Sequence, residues 1–174
     1  MFSRGPWERT ADHICARSTN RDFQLSVPGV TVSAMEVTDA DVAAIPARNV
    51  RVPASEFVAV WRAASNGDHH DASRGGEGWY AAGVAATCRW LATAPSRLAN
   101  GLTDSTPAPA TRRTAMAYEE LIEAEWLAAA RLEETRPHLA RSRPGWCEGV
   151  RATLRWAWRR QGPPPLEVQV PIEK

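Results

Sequence analysis

The sequence predicts a mainly α-helical fold. Two internally repeated helical hairpins form a four-helix core, preceded by a small irregular or β-containing N-terminal segment. Three observations predict it. First, Gly83-Val84-Ala85-Ala86-Thr87-Cys88-Arg89-Trp90 returns as Gly149-Val150-Arg151-Ala152-Thr153-Leu154-Arg155-Trp156, identical at six of eight positions and 66 residues apart. Second, a Gly-Trp pair precedes each copy, Gly78-Trp79 and Gly145-Trp146, and further upstream Phe57 and Trp61 fall opposite Ile122 and Trp126. Third, apolar residues in these stretches recur at steps of three to four, bounded by Gly and Pro. Trp, Gly and Thr recur in register, which chance similarity in an Ala- and Arg-rich chain does not give. Only two copies fit, about Pro53–Thr93 and Thr114–Arg160, so a pair related by a pseudo-two-fold axis is expected rather than a long array.

Residues 1–36 read as a poorly ordered or small β segment, in which Phe23–Val37 alternates and Pro28-Gly29 interrupts it as a hairpin turn would. Met35 stands as an alternative start. The first helical unit spans 37–94. Thr38 followed by Asp41 signals a short helix that Pro46 ends. Pro53 fits a first helical turn, and Phe57, Val60, Trp61 and Ala64 then keep helical spacing. Asn66–Gly78 reads as a loop, and the next helix as Trp79–Ala94, stopped by Pro95. Residues 95–113 form a Pro/Ser/Thr-rich linker. The second unit spans 114–162: Thr114 caps a long helix to about Thr135, ended by Pro137, and Pro144-Gly145 opens a last helix, Trp146 to about Arg160. Gly162-Pro163-Pro164-Pro165 ends it. In the tail, 163–174, Leu166–Val170 alternates as an edge strand for Phe23–Val37. Residues 37–162 make a single domain.

A chain of 174 residues buries enough surface to need no disulfide or metal staple. A net charge of +1 gives no global attraction to nucleic acid or acidic lipid. Cys15, Cys88 and Cys147 show neither a disulfide framework nor zinc-ligand spacing and suit a reducing compartment. With no apolar run of membrane length and no signal-peptide core, the expectation is a cytoplasmic protein with no membrane partner. No cofactor motif is present.

Within the repeat, Gly83 with Thr87, and Gly149 with Thr153, share a helix face. A mid-helix glycine costs about 0.5–1 kcal/mol relative to alanine. Its repetition predicts that the two motif helices pack closely at these residues; a ligand or partner helix approaching the glycines is the alternative. Glutamates from Glu119 to Glu134 make one helix acidic, and Arg151, Arg155, Arg159 and Arg160 make the last one basic, so the two are expected to pair. Asp68-His69-His70-Asp71 is the one dense cluster of metal-type side chains, but four adjacent loop residues rarely converge on one ion, and His69 and His70 remain weak metal candidates.

No nucleophile or acid–base motif stands out, so the leading expectation is non-catalytic. It is a protein-interaction or assembly module whose Trp79, Arg89, Trp90, Trp146, Arg155 and Trp156 contact a partner, since Trp and Arg are common interface hot spots. The partner is expected to be another protein, including a second copy if hairpins swap. A second possibility is nucleic-acid binding through the basic, Trp-bearing stripe Arg151, Arg155, Trp158, Arg159 and Arg160. A third is a small anionic ligand held between the hairpins, lined by Trp79, Trp90, Trp146 and Trp156 and oriented by Arg89 and Arg155.

Overall fold

A computed structural model describes residues 36–72, 79–97 and 102–168, with the backbone alone over 67–72. The expected N-terminal β segment lies, but for residue 36, outside these residues. What is described is mostly helical, with little strand.

Helix α1, Asp39–Ala43, begins at a reciprocal cap: the Thr38 hydroxyl accepts the Asp41 N–H at 3.2 Å, and the Asp41 carboxylate accepts the Thr38 N–H at 3.0 Å. Helix α2, Ala54–Ala72, buries Phe57, Val60, Trp61 and Ala64. It runs through much of the stretch expected to be a loop from Asn66. Gly67 is the one breaker before Ala72, and a lone glycine costs about 1 kcal/mol, too little to stop a helix anchored by a packed face. Helix α3, Trp79–Leu91, is buried from Ala82 onward except at Ala86. It stops short of the expected Ala94. Thr93 turns to φ 54°, its N–H reaches the Trp90 carbonyl and the Ala94 N–H reaches that of Arg89, each at 3.0 Å, which closes a Schellman cap.

The linker is less irregular than its composition suggested. Ser96–Arg97 (β1) and Thr103–Asp104 (β2) pair antiparallel, and Ala108, Pro109 and Ala110 are buried. Helix α4, Glu119–Ala130, starts later than the expected cap at Thr114. The residues between are held extended by long-range bonds: Trp90 Nε1 donates to the Ala115 carbonyl at 3.1 Å, and Asn49 Nδ2 to the Ala117 carbonyl at 3.0 Å. The expected single helix then breaks at Arg131 into α4 and α5, Leu132–Thr135. Pro137 opens a further helix, α6, Pro137–Ser142, where it had been expected only to end one. Helix α7, Trp146–Ala157, follows Gly145 at φ 87°. Residues 166–168 form no strand. Leu166 and Val168 instead pack on the core, and the Tyr80 hydroxyl donates to the Pro165 carbonyl at 3.1 Å.

The packing order is α2 on α3, α3 on α7, and α7 on α4, with α6 against α5 and α7. The Asn49 amide also donates to the Leu91 carbonyl at 3.0 Å, so one buried side chain ties the end of α3 to the segment entering α4.

Candidate functional site

The repeated motif lies at the α3–α7 contact. A Cβ on Gly83 would stand 2.5 Å from the Trp146 carbonyl oxygen and 3.3 Å from the Val150 nitrogen. A Cβ on Gly149 would strike the Tyr80 carbonyl oxygen and stand 3.2 Å from the Val84 nitrogen. Tyr80 and Val84 are the positions that answer to Trp146 and Val150 at the 66-residue offset, so the two approaches are reciprocal. Thr87 and Thr153 each turn the hydroxyl back to the glycine carbonyl four residues earlier, at 2.7 and 2.8 Å, which satisfies both buried oxygens. Backbone fills the space over both glycines, and no ligand fits there.

The tryptophans of the repeated segments form scaffold rather than surface. Trp90, Trp146 and Trp156 are buried, contrary to the expected contact surface, and Trp79 is half-buried. Trp156 stacks on Phe57 at 6.2 Å between centroids, and Phe57 meets Trp61 at the same separation. The aromatic surface fits together across α2 and α7, which explains why it is withdrawn from solvent.

Arg89 and Arg155 occupy different surroundings. Arg89 is buried, donates to the Pro95 carbonyl at 3.1 Å and the Glu36 carbonyl at 3.4 Å, and lies 5.5 Å over the Trp61 ring. Burial lowers its pKa, Arg97 adds to this, and Asp41 opposes it. Arg155 is exposed beside Gly162. The pair does not form the inter-hairpin anion clamp expected from the sequence.

The basic stripe is interlocked with acidic partners. Arg151 meets Glu133 at 2.6 Å and Arg159 meets Glu123 at 3.1 Å. Trp158 is buried, donates to the same Glu123 at 3.0 Å and carries the Arg51 guanidinium 3.5 Å over its ring. Arg155 and Arg160 remain at the surface. His69 and His70 lie in the last turns of α2, where the side chains are outside the described residues; elsewhere among the described residues no three metal-type side chains cluster. No described helix is long and apolar enough to cross a membrane.

Two roles of buried carboxylates were missed from the sequence: the pairing of the capping Asp41 with Arg97, and the burial of Glu125. Asp41 takes Arg97 at 3.0 Å. Burial pushes its carboxyl up, but the bonds from the Thr38 N–H and hydroxyl and from Arg97 outweigh this and hold it below its usual value. Glu125, fully buried on α4, accepts the backbone N–H groups of Ala110 and Thr111. A glutamate inside an acidic run gives no sign that it faces inward; its place between Ile122 and Ala129 on the apolar stripe is the one available signal.

Among the described residues the large apolar side chains left exposed are Leu102, Met116, Tyr118 and Leu127, of which Leu127 stands mid-helix on the outer side of α4. Leu127 is 61% exposed, with Ala124 and Ala130 exposed three residues to either side and Glu120 at the N-terminal end. Its inner side carries Leu121, Ile122 and Ala129. The outer side of α4 is therefore acidic in its first turn, at Glu119 and Glu120, and apolar beyond it, whereas α7 presents Glu148 and Arg155 outward. Comparison of the chain with protein-family models, curated proteins and solved structures found no match.

Proposed function

We propose that this chain is a non-catalytic protein-interaction module built on a duplicated helical hairpin, α2–α3 and α4–α7, with the outer side of α4 as its contact surface. The observation that carries the reading is Leu127, mid-helix and largely exposed between two exposed alanines. Scattered single apolar residues on a surface are ordinary. A leucine with an exposed alanine three residues to either side on one helix face is different, because the small neighbours let a second helix approach closely. The partner that fits is an amphipathic helix of another protein with large apolar side chains that seat around Leu127. The buried tryptophans serve this surface indirectly: the α3–α7 crossing fixes α7, and α7 supports the inner side of α4.

The test is affinity capture of tagged wild-type protein and the Leu127→Arg variant, with and without nuclease. A protein partner that survives nuclease and is lost with the variant supports the reading. A partner retained unchanged by Leu127→Arg removes α4 from the interface.

A further inference from the structure

The 109–113 turn, the α5–α6 junction and the entry to α7 border an open pocket of about 180 Å³. Three arginines, Arg112, Arg136 and Arg143, line it together with His138, Leu139 and Trp146. No acidic side chain lines it, and among the described residues none of these three arginines meets a carboxylate. Arg51, Arg62, Arg97, Arg131, Arg151 and Arg159 each face an aspartate or glutamate, whereas here three arginines without a carboxylate line one pocket.

The cationic wall is held in place. Arg136 donates to the Thr111 carbonyl at 3.2 Å. The Arg143 guanidinium lies 4.8 Å from the Trp79 ring and 5.5 Å from the Trp146 ring, positioned by cation–π contacts rather than by a counter-ion. Arg112 sits at φ 66°, a conformation that a non-glycine residue adopts only where its surroundings impose it. Those surroundings are specific: the Ala108 N–H reaches the Arg113 carbonyl and the Arg112 N–H reaches the Ala108 carbonyl, each at 2.9 Å, while buried Glu125 holds the Ala110 and Thr111 amides. Trp146, 7% exposed, forms part of the same lining and gives the pocket an aromatic floor beside Arg143.

We propose that this pocket binds a phosphoryl group, as inorganic phosphate or as the head of a small phosphate monoester. Guanidinium groups match the paired oxygens of phosphate, several cations suit a dianion better than a single carboxylate, and the volume is that of a head group rather than of a whole drug-sized ligand. The site is independent of the α4 contact surface and stands or falls separately from it.

The experiment is titration of the full chain with inorganic phosphate and, in a second arm, phenyl phosphate, at constant ionic strength and pH. The readout is the Trp146 indole N–H resonance, assigned by its loss in Trp146→Phe. The proposal expects a saturable shift of that resonance, affinity at least tenfold weaker in Arg143→Gln and in Arg112→Gln, and no change in Arg155→Gln. Tighter binding of phenyl phosphate than of phosphate would identify a monoester; equal or weaker binding would identify the inorganic ion. Arg112 is exposed, so Arg112→Gln tests the charge without unsettling the fold. An unmoved indole resonance, a shift reproduced by chloride, or phosphate affinity unchanged in both arginine variants would overturn it.

Discussion

At the scale of single residues, three side-chain choices fix the geometry. Gly83 and Gly149 let the α3 and α7 backbones touch, and a methyl group at either would meet a carbonyl oxygen that cannot rotate away. Gly83→Ala and Gly149→Ala are each expected to destabilise by about 1–3 kcal/mol despite the better helix propensity of alanine, measured by denaturant unfolding. Variants as stable as wild type would mean that the helices lie further apart. Glu125 accepts the backbone N–H groups of buried Ala110 and half-buried Thr111, so Glu125→Ala should cost about 3 kcal/mol and speed hydrogen exchange at Ala110 and Thr111 before other core amides. Asp41 supplies a pH dependence. Its folded pKa lies below the unfolded value of about 3.9, so its contribution to stability is complete above that value and is lost as pH falls through the folded pKa. Asp41→Asn should therefore be less stable at pH 7 and show a shallower loss of stability below about pH 4 than wild type, read from unfolding midpoints across an acid series.

At the scale of elements, what the sequence made legible is periodic, and what it hid is long-range. The Thr38–Asp41 cap, the α2 face of Phe57, Val60, Trp61 and Ala64, and the start of α7 after Gly145 are local signals, and the structure carries each of them. The start of α4 was not legible from Thr114 because Trp90 and Asn49, distant in sequence, claim the carbonyls of Ala115 and Ala117. Pro137 reads equally well as a helix stop and a first-turn residue, and only the arrangement of α5 and α6 decides. The candidate surfaces followed the same division. Burial of the repeat tryptophans depends on which helices meet, and the exposure of Leu127 depends on which do not. An exposed leucine makes few internal contacts, so Leu127→Arg is expected to shift stability by no more than about 0.5 kcal/mol while it abolishes partner capture. A large loss of stability would show that Leu127 belongs to the core.

At the scale of the whole molecule, the α3–α7 contact joins residues 54–91 to residues 119–157. The inner face of α7 buries Val150, Leu154 and Trp156, and it packs on α3 as well as on α4. Residues 114–168 alone are therefore expected to lack near-UV dichroism and dispersed amide resonances, and to gain both when mixed with residues 36–97. Independent folding of residues 114–168 would mean that α7 does not need α3 to fold. The α4 surface depends on this joint, since α7 lies behind it. The most direct test of the interaction reading is a photo-cross-linking amino acid at position 127 in the full chain, compared with the same group at position 155. The account predicts an adduct with another protein from position 127 that persists after nuclease treatment, and none from position 155. An adduct from position 155 that nuclease removes, with none from position 127, would contradict it.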